Sequence, residues 1–149
     1  MFTLTPQDAQ ASNAVVVGIL SVCSFEARDL FDPGASHLFV SPIFASRMEW
    51  QPSKLLFFLS VVTLLSDELE TNIFFPYCPV LVEERELLAD LVLFDVIDFD
   101  VILGMDWLAQ HYSLLDCHKK VVIFRISNED EFRLRGNKSY MPQISSLQS

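Results

Sequence analysis

The sequence predicts an all-β domain that contains one or two short helices. Its apolar segments are short, rich in Val, Ile, Leu and Phe, and separated by turn-forming residues, which is the pattern of strands joined by hairpins. The chain has 149 residues, of which 51% are hydrophobic and 20% are charged. This length and composition favour a single folded domain with a sizeable core and exclude disorder along the whole chain.

The predicted strands follow from the apolar runs taken in order along the chain. Eight runs have the length and composition of strands: residues 15–22, 27–31, 55–65, 71–77, 79–82, 86–94, 101–103 and 121–126. The first six form three consecutive pairs, and a polar or turn-forming segment separates the members of each pair. We therefore expect three hairpins followed by two further strands.

Two short helices interrupt this pattern. Ser41 and Pro42 form a helix-start signal, with Ser41 as the N-cap and Pro42 in the first helical position, so a helix is expected over residues 43–48. A second helix is expected over residues 105–111. The expected domain is therefore mostly β, with two small helices.

Composition divides the chain into three parts. Residues 1–13 are mixed in polarity with little periodicity, which predicts a flexible leader. Residues 14–126 hold the apolar runs and are expected to form the folded domain. Residues 127–149 are predominantly polar, with a Ser/Gln ending, and are expected to form a C-terminal linker or tail.

Charge and hydropathy limit the partners of this domain. Its formal net charge of −10 repels phosphate backbones and anionic lipid, so we expect no nucleic-acid binding. The most apolar run, residues 55–65, is much shorter than the ~20 residues that a membrane-spanning helix needs. The N-terminus lacks the basic and apolar regions of a secretory signal. No membrane association is expected.

The cysteines indicate a reducing compartment. Cys23, Cys78 and Cys117 form an odd set with no close pair in the sequence, so they are interpreted as buried thiols and not as a disulfide framework. Together with the absence of a secretory signal, this predicts an intracellular, cytoplasmic protein.

The first candidate for chemistry is the segment at residues 32–36. An apolar strand leads Asp32 directly into a turn formed by Pro33 and Gly34, followed by the small residues Ala35 and Ser36. Such a turn exposes one carboxylate on a rigid support, where glycine is expected to adopt a positive φ and to allow close approach of a ligand. Taken alone, the tripeptide is explained more simply as an ordinary β-turn.

A second segment, about seventy residues further along, favours the functional interpretation. It reads Phe99-Asp100-Val101-Ile102-Leu103-Gly104-Met105-Asp106-Trp107-Leu108. Together the two segments resemble the retropepsin-like aspartic proteases of gypsy-type retrotransposon polyproteins, in which a catalytic Asp-Ser/Thr-Gly-Ala turn precedes an apolar element that ends in Gly-Met-Asp-Trp-Leu. The resemblance extends over about residues 15–126. It implies a closed β-barrel of the acid protease subunit type.

The resemblance also implies an activity, an aspartic endopeptidase that processes its own polyprotein. The catalytic residue would be Asp32, and Pro33, Gly34, Ala35 and Ser36 would form the active-site turn and bind substrate. Two facing carboxylates are needed per site, so one turn per chain implies a homodimer. The substrate would be an extended peptide or polyprotein, and no cofactor is implied.

Two further elements of the site are implied by the resemblance. Leu103 and Gly104 would pack behind the catalytic turn and support it. A flap that closes over the peptide would lie at the tip of the second hairpin, at Leu64, Leu65, Ser66 and Asp67.

Three features depart from the family pattern. Pro33 replaces the usual Ser or Thr, whose hydroxyl links the two catalytic turns of the dimer, and proline has neither hydroxyl nor N–H. The flap normally carries glycine, yet none occurs between Gly34 and Gly104. Asp29 places a carboxylate in the apolar strand that leads to the site. The alternative function is therefore an inactive retropepsin-like remnant that at most dimerises or binds peptides.

No metal site is predicted. The acidic pair Asp98 and Asp100 is better explained by a turn or by alternation along a strand, and Cys117, His118 and His111 provide no fourth ligand at a zinc spacing. His37, next to the catalytic turn, is interpreted as a structural or capping residue.

Overall fold

The computed structural model describes residues 2–3, 15–62, 68–96, 98–126 and 130–136. Its strands are β1 (Phe2–Thr3), β2 (Val16–Val22), β3 (Phe25–Asp32), β4 (Phe39–Val40), β5 (Ser53–Val62), β6 (Glu68–Val82), β7 (Arg85–Leu93), β8 (Val101–Gly104), β9 (Ser113–Asp116), β10 (Val121–Phe124) and β11 (Phe132–Arg135). Its helices are α1 (Pro42–Met48) and α2 (Met105–Gln110). The predicted all-β class with short helices is confirmed.

Six strands close into a barrel. Their order is β6-β2-β3-β8-β4-β7, and β7 pairs again with β6, which completes the ring. Strand β5 adds to the outer part of β6, and β1 pairs with β5 in parallel. A separate antiparallel sheet has the order β11-β10-β9. This closed arrangement agrees with the barrel that the family resemblance implied.

Two predicted hairpins are present, with turns tighter than expected. The β2–β3 turn consists of Cys23 and Ser24, with φ of 50° and 71°. The β6–β7 turn consists of Glu83 and Glu84, with φ of 48° and 70°. Two consecutive residues with positive φ are the geometry that matches the twist of the flanking strands.

Strand β6 differs from the prediction, which divided it into two strands. It runs unbroken over fifteen residues and bends at an irregularity between Phe75 and Cys78, where Tyr77 has a φ of 55°. Pro79 has no N–H to donate, but its carbonyl accepts a hydrogen bond from the Cys23 N–H at 2.9 Å. The bend therefore accommodates the proline within one strand, which belongs to both the β5–β6 hairpin and the barrel.

The helices begin where the sequence signals predict. Ser41 Oγ accepts a hydrogen bond from the Phe44 N–H at 3.1 Å, and Pro42 opens α1. Helix α2 follows β8 directly and buries Trp107 and Leu108 in the core. No helix in the described part of the chain is long and apolar enough to cross a membrane.

Four strands were not predicted: the two-residue strands β1 and β4, and the strands β9 and β11 of the three-stranded sheet. Strand β9 carries only four residues, most of them partly buried. Strand β11 lies within residues 127–149, the segment that was predicted to be a polar tail, and its Phe132 ring stacks on that of Phe124 at 4.8 Å. The division of the chain at residues 13 and 126 stays a prediction.

Candidate active site

Asp32 is the last residue of β3 and stands where this strand enters a tight turn. Its side chain is almost completely buried, with 7% of the residue's surface exposed. Carboxylate Oδ1 accepts a hydrogen bond from the Gly34 N–H at 2.8 Å, and the Asp32 carbonyl accepts one from the Ala35 N–H at 3.1 Å. The turn therefore holds both the backbone and the side chain of the predicted catalytic residue.

Pro33 and Gly34 form the tip of this turn, Pro33 partly buried and Gly34 exposed. The expectation that Gly34 adopts a positive φ is wrong, because none of the described glycines does so. A Cβ atom on residue 34 would lie 3.1 Å from Asp32 Oδ1. A side chain at position 34 would therefore crowd the Asp32 carboxylate. It would not conflict with the backbone conformation.

Ala35 and Ser36 connect the turn to the start of α2. The Met105 N–H donates to the carbonyl of Ala35 at 2.7 Å, and the Asp106 N–H donates to that of Ser36 at 3.1 Å. Ala35 is buried and Ser36 is partly buried. The segment after Asp32 is thus fixed by hydrogen bonds from a distant part of the sequence.

Leu103 and Gly104 lie beside the turn at the end of β8. Strands β3 and β8 are parallel neighbours, and their register places Gly104 opposite Asp32. Leu103 is fully buried in the core. A Cβ atom on residue 104 would overlap the carbonyl oxygens of Ala35 and His37, so only glycine fits. This packing is what the predicted supporting role of Leu103 and Gly104 requires.

The environment of Asp32 favours a retained proton. Burial raises the pKa of this carboxyl above its ordinary value, and the N–H groups of Gly34 and Ala35 oppose the rise by favouring the charged form. A buried carboxyl with a raised pKa keeps its proton to a higher pH than an exposed aspartate does. General acid–base chemistry depends on such a group.

Asp29 is a second buried carboxylate on β3, with no exposed surface. Its Oδ2 accepts a hydrogen bond from the Leu20 N–H at 3.0 Å, while Oδ1 has no hydrogen-bond partner among the described residues. Burial raises the pKa of Asp29 well above its usual range, and the negative charge of Asp100 raises it further, against the effect of the Leu20 N–H. The environment of Asp29 therefore favours the neutral form of its carboxyl over the charged form.

His37 follows the catalytic turn and is partly buried. Burial lowers the pKa of its imidazole, and the negative charge of Asp106 opposes this. In the described ranges, no group of three or more His, Cys, Asp and Glu side chains comes together as a metal site. The chemistry offered by the site is that of its carboxyl groups.

The predicted flap residues Leu64, Leu65, Ser66 and Asp67 lie outside the described residues. The strands on either side, β5 and β6, form the expected hairpin. Its register shifts between Lys54 and Leu59, where four residues of β5 lie opposite one residue of β6. In this bulge Leu56, Phe57 and Phe58 are exposed.

A cavity of about 370 Å³ beside the turn was not predicted. Its lining includes Leu88, Asp90 and Val92 from one face of β7, together with His37 and Asp106. Alternation along β7 places these three residues on one face, but no sequence pattern indicates which other elements meet that face. The cavity lies between β7, the turn segment, α2 and the stem of the β5–β6 hairpin.

The proximity of two of the free cysteines was also not predicted from the sequence. The thiols of Cys23 and Cys78 lie close enough to affect each other's pKa, and Cys78 Sγ donates a hydrogen bond to the carbonyl of Phe75 at 3.3 Å. Both thiols are free and buried, and burial raises the pKa of each. They lie at the far end of β2 from the catalytic turn, so they serve the barrel and not the site.

Two solved structures share this fold. The chain is similar to the retroviral protease-like domain of Ddi1 from Leishmania major, with a TM-score of 0.57, 13% identity, and coverage of 84% of this chain and 98% of that one. It is also similar to EIAV protease complexed with the inhibitor HBY-793, with a TM-score of 0.52, 18% identity, and coverage of 63% and 85%. No curated protein matches the sequence.

The family follows from the sequence match and the fold together. A family model described as retroviral aspartyl protease matches residues 1–130. The matched range includes the Asp32 turn, the Gly104 element beside it and all six strands of the barrel. The chain therefore belongs to the retroviral aspartyl protease family.

Proposed function

We propose that this chain is one subunit of a homodimeric aspartic endopeptidase, with Asp32 from each of two copies forming the active site. The observation that carries the proposal is the state of Asp32, a buried carboxyl with a raised pKa that backbone N–H groups hold at the start of a tight turn. The family indicates the reaction class. Because each chain has one such turn and the site needs two carboxyl groups, we propose a dimer.

The chemistry requires one proton shared between two carboxyl groups. Two carboxylates placed this close cannot both ionise, so one Asp32 keeps a proton while its mate in the second copy is charged. The charged carboxylate takes a proton from a water molecule, whose oxygen adds to the scissile carbonyl carbon. The protonated carboxyl donates a hydrogen bond to the carbonyl oxygen. The Asp32 carboxyl that received the proton from water then passes it to the amide nitrogen, so the C–N bond breaks and a carboxylic acid and an amine are released.

The substrate class is an extended peptide segment of a polyprotein. The β5–β6 hairpin extends from the barrel and carries the predicted flap at its tip, so a peptide bound beneath it would pair with strand-like backbone. The resemblance of the two motif segments to gypsy-type retrotransposon proteases makes the element's own polyprotein the proposed substrate. The free thiols fit a site of action in the cytoplasm.

A second candidate is a catalytically inactive retropepsin-like domain that dimerises or binds peptides. Pro33 favours it, because a proline supplies no hydroxyl to link the two turns of a dimer. Asp29 also favours it, since a fully buried carboxyl in β3 weakens the strand that carries Asp32.

Peptide cleavage by the purified domain at acidic pH separates the two candidates. An endopeptidase cleaves members of a peptide library and is stopped by an inhibitor that mimics the tetrahedral intermediate of aspartic proteases. An inactive remnant leaves every peptide intact, both with and without the inhibitor.

A further inference from the structure

The cavity beside the turn lies close to the path proposed for a bound peptide. His37 forms part of its wall and follows Asp32 by five residues in the same segment. Leu55 and Phe74, from the stem of the β5–β6 hairpin, form another part. The cavity therefore lies beside the stem of the hairpin that carries the predicted flap and beside the segment that follows the predicted catalytic turn.

The charge of this cavity is negative and unbalanced. Asp90 and Asp106 contribute two carboxylates, and neither forms an ion pair with a lysine or arginine in the described part of the chain. Burial lowers the pKa of His37, so its imidazole adds little positive charge near neutral pH. One oxygen of Asp90 accepts a hydrogen bond from the Tyr77 N–H at 2.9 Å, which orients the carboxylate.

Apart from Gln110, the remaining walls are mainly apolar and are suited to an alkyl chain. Leu38, Leu55, Phe74 and Val92 line the cavity, and the buried ring of Trp107 adds a further face. A lysine or arginine side chain has this combination of properties, because its stem packs on apolar surface while its charged end reaches acceptors. The net charge of −10 also attracts cationic segments of a substrate to the molecule.

We infer that this cavity is a specificity site that accepts a lysine or arginine side chain of the bound peptide, with Asp90 and Asp106 holding the cationic end. The inference rests on the proposed function, since it names a preference of the same peptide-binding site. It goes beyond that function because it predicts which peptides are bound best.

Binding tests this preference independently of cleavage. The Asp32→Asn protein, which keeps a bound peptide intact, is titrated near pH 6.5 with blocked hexapeptides that differ only in one residue: Lys, its neutral analogue norleucine, or Glu. The single Lys is moved through all six positions. We expect one position at which Lys binds about tenfold more tightly than norleucine, with Glu weakest. The indole N–H resonance of Trp107 should shift with that peptide.

Charge-neutral variants identify the residues responsible. In the Asp90→Asn/Asp106→Asn double variant the preference for Lys over norleucine should disappear, while the new amide oxygen at position 90 can still accept from the Tyr77 N–H. Asp130→Asn removes one exposed carboxylate far along the chain and should leave the preference intact. Equal affinity for Lys and norleucine at every position, no measurable binding of any peptide, or a preference that survives the double variant would overturn the inference.

The experiments distinguish failure of the specificity site from failure of the proposed endopeptidase function. Lys-selective binding by a wild-type protein that cleaves no peptide contradicts the endopeptidase and keeps the specificity site. Cleavage by wild type without any Lys preference supports the endopeptidase and contradicts the specificity site.

Discussion

Gly104 in β8 packs directly against the carbonyl oxygen of Ala35, so closely that residue 104 has no room for a Cβ atom. The contact joins the end of β8 to the segment that follows Asp32, and the Met105 N–H bonds to the same carbonyl at 2.7 Å. The Gly104-Met105 sequence at the end of β8 is therefore required by the geometry of the turn, whether or not the turn is catalytic.

Replacing this glycine should damage the fold. In Gly104→Ala the new Cβ atom overlaps backbone atoms that cannot move independently, and we expect the free energy of unfolding to fall by about 3 kcal/mol. Urea unfolding followed by circular dichroism measures the change. Gly18→Ala is the matched control, because its Cβ would lie 3.4 Å from a ring carbon of Phe31, an ordinary contact. A Gly104→Ala protein as stable as the control contradicts the described packing.

Stability should depend on pH through the two buried carboxyl groups of β3. The pKa values of Asp29 and Asp32 are both raised in the folded chain, so their contribution to stability is complete below the unfolded pKa near 3.8. It is lost as pH rises from there through the folded values. Asp29→Asn removes the larger of the two effects and keeps an oxygen for the Leu20 N–H. We expect its melting temperature to exceed that of wild type at pH 7 and to approach it at pH 4.

Asp130→Asn is the control for the loss of one negative charge, since its side chain is exposed. An Asp29→Asn protein whose advantage is largest at pH 4 would show that the sign of the effect is wrong.

The strength of the proposed dimer should depend on residue 33. If a hydroxyl that links the two turns is missing, Pro33→Thr should lower the dimer dissociation constant several-fold, as one added hydrogen bond of about 1 kcal/mol does. Analytical ultracentrifugation over a range of concentrations measures it. Pro33→Ala removes the proline without adding a hydroxyl and should not tighten the dimer. Equal tightening in both variants would assign the effect to the proline ring instead.

The three cysteines should differ in reactivity. Cys23 and Cys78 are free, buried thiols that lie close together, and burial raises the pKa of both, so the reactive thiolate is scarce and shielded. Cys117 lies in a turn and is partly exposed. In the native protein a thiol-specific reagent should modify Cys117 first and the other two only on unfolding, as peptide mapping by mass spectrometry will reveal. Rapid modification of Cys78 would contradict its described burial.

The sequence predicted the fold class because the pattern of hairpins is local. The breaks between apolar runs at Cys23-Ser24 and Glu83-Glu84 mark the strand ends, although neither pair is of a type that favours the positive φ values of these turns. It was less successful with β6, since Pro79 normally ends a strand and only the bend at Tyr77 allows the strand to continue. Strand β11 was missed because its alternating charged residues look like a solvated tail until Phe132 stacks on Phe124.

The candidate site was predictable only as far as its motifs extend. The turn at Asp32 and the glycine at residue 104 each have a recognisable local sequence, and the fold brings them into register. The reason for Gly34 was wrong, because the positive φ that glycine permits is not used. The contribution of Asp90 to a cavity depends on how β7 meets the hairpin stem and α2, which no local pattern encodes.

The most direct test of the central claim, a site shared between two copies, is peptide cleavage by mixtures of wild-type and Asp32→Asn chains at constant total concentration. Pure Asp32→Asn should be folded and inactive, because an amide cannot supply the shared proton or the charged base. If both copies contribute Asp32, random pairing in an equal mixture leaves about one quarter of the wild-type rate. A rate of about one half, cleavage that survives in the pure variant, or no inhibitor-sensitive cleavage by wild type would contradict the account.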